Sequence, residues 1–298
     1  MVGLHSAPKM ATQFIITADL HQNIGKWREL VRVVEQEKPR FVLVVGDLLP
    51  KDGGFNGQRK FFPLLADYLG AMRGSGETTI LTFLGNDDFH PLEPLLDDLA
   101  TKGLCVNLGG KVHREDGLVF CGMNYVRDYP FGYKHWCAPD GDFVTCPVQF
   151  CGQGLTLDAQ GRWVELPNLR EYLLAKPSLQ DRLKTMRSQL MPEEIRRSVW
   201  LVHCPPADLG MDICHDDRQV GSPTITRFIE QTQPLFGCSG HIHESPYQPG
   251  GKWAAQIGRT LWFQPGQEGK RLHYVSLEVG DDLGILTSRH SVFGASGT

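Results

Sequence analysis

The chain lacks the marks of several protein classes. Its eight cysteines contain no C-x-x-C pair, which argues against a zinc knuckle or a dithiol redox motif and leaves reduced, mostly buried thiols as the plain expectation. No window approaches the roughly 18 apolar residues of a membrane span, and the opening "MVGLHSAPKM" has no apolar stretch of signal-peptide length. A cytoplasmic protein with no membrane partner is expected. Neither sign of charge dominates: 30 basic against 34 acidic residues leave −4, so there is no bulk drive toward nucleic acid. Internal repeats and low-complexity tracts are also missing. What is present is 298 residues, 41% of them hydrophobic, enough for one large α/β domain or two small ones, and a single domain spanning 1–298 is the expectation.

Apolar runs recur along that length, and each ends in polar residues: "FIITADLH" (14–21), "FVLVVGD" (41–47), "TILTFLGND" (79–87), "LVFCGMN" (118–124), "VWLVHC" (199–204), "PLFGCSGH" (234–241) and "TLWFQPG" (260–266). Runs of this length read as buried strands. Between the early ones, Trp27, Leu30, Val31 and Val34, then Phe61, Leu64, Leu65, Tyr68 and Met72, then Leu92, Leu95, Leu96 and Leu99 repeat at helical spacing. Strand and helix alternate as in βαβ units, and ligands of such sheets bind beyond the carboxyl ends of the strands.

The segment from about 127 to 197 breaks the alternation. It is rich in Gly, Pro and aromatics ("RDYPFGYKHWCAPDGDF", "CGQGLTLDAQGRW") and ends in helical patterns around 178–189 and 192–197, so it reads as an insertion or cap. After residue 245, "LHYVSLEV" and "LGILTSRH" around "GDD" predict antiparallel strands and a hairpin.

The strand ends carry the chemistry. Asp19 and His21 in "DLH", and His241 and His243 in "GHIH", lie two apart, a spacing that points both side chains of an extended pair to one side. An H-x-H alone is too short to be diagnostic, and packed core imidazoles remain an alternative for it. Taken with Asp47, Asn86 and His203, however, five strand ends offer a mixed set of oxygen and imidazole donors. That mixture suits manganese, iron or zinc better than calcium or magnesium. Seven residues supply three or four ligands to each of two ions if one carboxylate bridges, and Asp47 is the candidate bridge.

The ordered set D-x-H (19–21), G-D (46–47), G-N (85–86), a strand-end His (203) and G-H-x-H (240–243) resembles the calcineurin-like metallophosphoesterases. The resemblance covers about residues 13–277, with "QPGQEG" (264–269) where many members have an N-P-G-S turn. It implies a four-layer αββα sandwich of two mixed β-sheets flanked by helices. It also implies Asp19, His21, Asp47 and His243 on one divalent or trivalent ion, and Asp47, Asn86, His203 and His241 on the other. Two cations about 3.5–4 Å apart acidify a bridging water and polarise a phosphoryl group, so a bridging hydroxide attacks and no protein nucleophile is needed. The expected activity is hydrolysis of a phosphoester, as a phosphodiesterase or phosphatase, on a small-molecule or nucleotide substrate. Gly46, Gly85 and Gly240 each precede a ligand, where a side chain would crowd the ions or a positive φ is needed; ordinary turn glycines are the alternative.

One position departs from the family pattern. G-N is usually followed by a histidine that contacts phosphate and assists the leaving group, and then by an acidic residue. Here the sequence is "GNDDFH", with Asp87 in the histidine's place and Asp88 in the acidic one. A carboxylate beside two cations is ionised and cannot donate a proton. Either the ions and a water suffice, or His90 or His215 moves in as donor; alternatively, Asp87 binds a cation or a basic part of the substrate. A third reading is a catalytically weak metal-binding scaffold that binds a protein partner through the cap. Elsewhere, His135, Cys137, Cys146 and Cys151 offer a structural zinc site or plain packing, and Tyr129, Phe131, Tyr133 and Trp136 offer a base-stacking surface or a small core. "CHDD" (214–217) could approach the ions or lie on a solvated loop. Lys51 and Asp52 could touch substrate or cap the next turn.

Overall fold

The computed structural model describes residues 11–74, 76–127, 133–141 and 154–295. The first half alternates as the periodicities predict: β1 (Thr12–Thr17), α1 (Ile24–Glu37), β2 (Phe41–Val44), α2 (Gly54–Arg73), β3 (Thr79–Thr82), α3 (Glu93–Thr101) and β4 (Val106–Asn107). A hairpin of β5 (Val112–Glu115) and β6 (Leu118–Met123) follows, then the short strands β7 (Val126–Arg127) and β8 (Cys137–Ala138), the hairpin of β9 (Gly154–Leu157) and β10 (Trp163–Leu166), and helices α4 (Leu169–Leu174) and α5 (Leu179–Arg187). The remainder is β11 (Ser198–Val202), α6 (Pro223–Thr232), β12 (Phe236–Cys238), β13 (Ala254–Ile257), β14 (Thr260–Phe263), β15 (Val275–Val279), β16 (Ile285–His290) and β17 (Gly294–Ala295).

Two mixed sheets result. The first runs β17-β16-β15-β1-β2-β3-β4 and the second β13-β14-β12-β11-β6-β5. β1 to β4 are mutually parallel, and so are β6, β11, β12 and β14. β15 pairs antiparallel with β1 and turns back into β16, the hairpin expected around "GDD".

Side chains alternate across each strand and so feed two cores at once. From the first sheet Phe14, Ile16, Phe41, Leu43 and Leu81 meet Phe120, Val199, Leu201, Phe236 and Phe263 of the second, and these form the layer between the sheets. Phe41 lies at its centre, 5.2 Å from Phe14 and 4.8 Å from Phe120 between ring centroids. Truncating such a ring costs about 3–5 kcal/mol. The opposite face of the first sheet, with Ile15, Val42, Val44 and Ile80, packs on Trp27, Leu30, Leu65, Leu69 and Leu96 of α1 to α3. The outer face of the second sheet, with Val119, Cys121, Trp200 and Val202, packs on α5 and α6 through Leu183, Met186, Ile225 and Ile229. The architecture is the αββα sandwich.

Helix starts follow local chemistry. Asn23 accepts the Lys26 N–H, Ser178 forms a capping box with Asp181, and Ser222 accepts from Ile225 at the start of α6, just before Pro223. In the segment 127–197 the described helices sit in the layer that covers the second sheet, and the pattern at 192–197 forms a 3₁₀ turn, Pro192–Arg197. Tyr129, Phe131, Cys146 and Cys151 lie outside the described residues. Among the described residues no helix is long and apolar enough to cross a membrane.

Candidate metal centre

All seven side chains follow the carboxyl ends of parallel strands: Asp19 and His21 after β1, Asp47 after β2, Asn86 after β3, His203 after β11, and His241 and His243 after β12. The sandwich brings the two sheet edges together there, so residues more than 200 positions apart meet. His21 Nε2 lies 3.3 Å from His243 Nε2, and His243 Nε2 lies 3.7 Å from Asp19 Oδ1. On the other side, Asn86 Oδ1 is 2.8 Å from His203 Nε2 and 2.6 Å from His241 Nδ1, and Asp47 Oδ2 is 3.4 Å from His203 Nε2. Ligand atoms of His21, Asp47 and His243 fall within 4.8 Å of one another, as do those of Asp19, Asp47 and His203. Asp47 belongs to both groups.

The backbone is bent to achieve this. Asp19, His21, Asp47 and His241 all adopt positive φ (56°, 46°, 52° and 74°), a region that Asp and His enter more readily than most L-residues, at a cost borne by the surrounding structure. Hydrogen bonds from the Asp19 and His21 N–H groups to the Gly46 and Asp47 carbonyls tie these bends together. The glycines before the ligands have a purpose that differs in part from the expected one. Only Gly46, at φ 84°, has the positive φ; a Cβ there would lie 2.5 Å from His203 Nδ1, and one on Gly85 would strike Asp47 Oδ1. The crowding they avoid is against the ligand side chains.

The protonation pattern fits a cation site. His203 donates from Nδ1 to the Val45 carbonyl at 2.8 Å, the backbone tether common behind metal-binding histidines, which leaves Nε2 turned toward Asn86 and Asp47. Burial alone would lower the pKa of His203, but the Asp47 carboxylate raises it to about 9; burial would raise Asp47, but His203 holds it well below the usual range. A proton on Nε2 therefore sits among acceptors where a cation would replace it. Burial raises Asp19 to about 7 and lowers His21 to about 4; burial together with the His203 charge lowers His241 to about 3. Burial also holds His243 far below its ordinary value. Neutral imidazoles converging with carboxylates are the donor set of a transition-metal or zinc site.

The departure at position 87 has a structural answer. Asp87 Oδ1 accepts from Asn86 Nδ2 at 2.9 Å, which turns the Asn86 oxygen toward the two histidines, and the Asp87 N–H donates to Asp47 Oδ1 at 2.9 Å. Its other oxygen is 2.9 Å from Lys51 Nζ. Asp88, fully buried, accepts three backbone N–H groups, from Leu48, Leu49 and Gly85, at 2.8–2.9 Å. His135 and Trp136 donate to its carbonyl at 3.2 and 2.7 Å. Gln58 on α2 donates to the Pro50 and Asp87 carbonyls and accepts from the Phe89 N–H. Neither the Gln58 bridge nor the Asp88 staple is readable from spacing. The His90 ring packs on Trp136 at 4.8 Å with Nε2 3.8 Å from Glu93, and the exposed His215 pairs with Gln248 at 3.2 Å. Of the three residues offered for leaving-group or substrate contact, Asp87 is the one bonded to the seven. Cys137 is buried with its thiol on the Tyr133 carbonyl.

Comparisons with known proteins bear on the family and the fold. The calcineurin-like phosphoesterase family model matches residues 12–245. The chain is similar in structure to TT1561 of Thermus thermophilus, with TM-score 0.55 and 12% identity over 93% of this chain and 97% of that one. A second crystal structure gives TM-score 0.54 and 17% identity over 90% and 95% of the two chains. GAP50, the anchor in the inner membrane complex of Plasmodium, gives TM-score 0.47 and 12% identity over 96% of this chain and 86% of that one. No curated protein matches in sequence. At these identities the first two structures speak to the fold alone, and the third carries no argument, whereas the family model spans most of the chain. The strand-end donors, the sandwich and that match together make the chain a member of the calcineurin-like phosphoesterase family.

Proposed function

We propose that the chain is a metal-dependent phosphoester hydrolase with two cations at the strand ends, one held by Asp19, His21, Asp47 and His243 and the other by Asp47, Asn86, His203 and His241. The observation that carries this reading is Asp47, whose carboxylate converges with His21 and His243 on one side and with Asp19 and His203 on the other; the division of the seven donors between the two ions follows the family resemblance. Bound there, such ions would acidify water and neutralise charge on a phosphoryl group. The protein's own part is to hold the donors in place. Val45 fixes the His203 ring, Asp87 fixes the Asn86 amide, and the Asp19 carboxylate accepts the His241 N–H at 2.9 Å.

Asp87 accepts hydrogen bonds from Asn86 and faces the Lys51 ammonium, so it is not placed as a proton donor. Activated leaving groups, and diesters above poor monoesters, are the preferred substrates on this reading, because a missing acid penalises poor leaving groups most. The test is turnover of bis(4-nitrophenyl) phosphate by manganese-loaded protein beside Asp47→Asn, with bound manganese measured in both. Turnover that vanishes with the loss of metal supports the proposal. An inert wild-type protein with two manganese ions bound overturns it and points to the scaffold reading.

A further inference from the structure

Lys51 follows Asp47 by four residues on the loop after β2, and its ammonium is 2.9 Å from Asp87 Oδ2 while the side chain stays half exposed. The loop that carries it is not free to wander. Gln58 Nε2 donates to the Pro50 carbonyl at 3.0 Å and to the Asp87 carbonyl at 2.7 Å, so one side chain pins the backbone on both sides of the pair. Asp88 ties Leu48 and Leu49 to Gly85 in the same way. The lysine is also close enough to act electrostatically on Asp19, Asp47, His21, His241 and His243.

We infer that Lys51, aimed by Asp87, is the phosphoryl-contacting residue of this site, standing where the family pattern has a histidine. The inference rests on the hydrolase reading above. Charge requires some such group. An unpaired Asp87 carboxylate beside the centre would repel an incoming phosphate oxyanion. Paired with Lys51 it is neutralised, and the ammonium, which carries three protons, has donors left over for a substrate oxygen. Burial works against the Lys51 charge, yet Asp87, Asp47 and Asp19 outweigh it and keep the pKa above the ordinary lysine value. The ammonium is thus a fixed cation over the neutral range, which suits binding and stabilising a phosphoryl oxygen rather than passing a proton. The preferred ligand class is a phosphoester that retains an anionic oxygen, in agreement with a diester or monoester and against a neutral triester.

The test is calorimetric titration of inorganic phosphate into manganese-loaded wild type, Lys51→Gln, Lys51→Arg and Asp87→Asn, with manganese content and turnover of bis(4-nitrophenyl) phosphate measured on the same samples. Lys51→Gln is expected to bind phosphate about tenfold more weakly and to lose about ten- to hundredfold in kcat/KM at unchanged manganese content. Lys51→Arg keeps the charge and recovers part of both, and Asp87→Asn raises KM more than it lowers kcat. Phosphate affinity in Lys51→Gln equal to wild type, or no phosphate binding by the loaded wild type, overturns the inference. Weakened phosphate binding in Lys51→Gln with no turnover by wild type sinks the hydrolase reading and leaves the Lys51 contact standing. Full turnover by Lys51→Gln does the reverse.

Discussion

Among the described residues, two clusters of largely buried histidines occur, and one of them has the character of a metal site. At the strand ends, His21, His203, His241 and His243 direct ring nitrogens at carboxylate and amide oxygens and at each other. Near the "QPGQEG" turn, His273 and His290 lie 6.0 Å apart and are as well buried, yet their ring nitrogens have ordinary partners. His290 Nε2 donates to the Pro265 carbonyl, and its Nδ1 accepts from the Val292 and Phe293 N–H groups. His273 Nδ1 pairs with the Tyr247 hydroxyl and accepts the Glu268 N–H. Burial does not separate the two clusters, since His203, His241, His273 and His290 are all buried. What separates them is whether several electron-pair donors converge on one point or each is already matched to a proton.

The sharpest break of this comparison is to remove one imidazole from each cluster. His241→Asn is expected to lose most of one bound metal ion and all measurable turnover. His290→Asn should keep both ions and lower the unfolding free energy by about 1–3 kcal/mol, as lost buried hydrogen bonds do. Metal analysis and thermal melts decide between these outcomes, and retention of full metal by His241→Asn would dissolve the distinction. Next in size, Gly85→Ala should push Asp47 off its position and weaken manganese binding by about 10–100-fold while the protein stays folded.

Proton competition gives a smaller effect. Asp19, raised to about 7, and His203, raised to about 9, must shed protons to bind a cation. Manganese affinity is therefore expected to climb as pH rises through both values, with proton release measurable by titration in buffers of different ionisation enthalpy. His273→Asn should leave that profile unmoved. The smallest effect concerns the second cluster alone. Burial lowers His273 to about 4, so below about 6.5 the unfolded chain takes up a proton that the folded protein refuses. Stability falls as pH drops from 6.5 to 4, and His273→Asn should flatten that part of the Tm profile.

The sequence carried the seven donors because each sits at the end of an apolar run, and position along the chain is the information a strand end needs. The alternation of strand and helix carried the βαβ units, and the division into two sheets came from the family resemblance. The support of the site was hidden for a physical reason. Gln58 and Asp88 act across separations of 29 to 40 residues through hydrogen bonds to backbone groups, Lys51 and Asp87 meet as side chains from two different loops, and no periodicity reports such contacts. Lys51 was visible as a residue able to touch substrate, and Asp87 as one able to bind a cation; that each is the other's partner emerged only in three dimensions. Positive φ was one of two reasons offered for the glycines and holds for Gly46, whereas four of the proposed ligands adopt it themselves. Asp and His at sharp strand exits were the available signal.

The Asp88 staple has a consequence for how such a site can change over time. Since Asp88 and Gln58 hold the loops after β2 and β3 by their backbones, the side chain at 87 contributes little to where those loops lie. Position 87 is thereby insulated in its backbone: a change of its side chain removes the partner of the Asn86 amide and of Lys51 but leaves the loops themselves held. A compensating charge need only arise where the same clamp already presents a side chain, and Lys51 occupies that point. The staple makes the side chain at 87 replaceable without rebuilding the loops that carry Asp47 and Asn86.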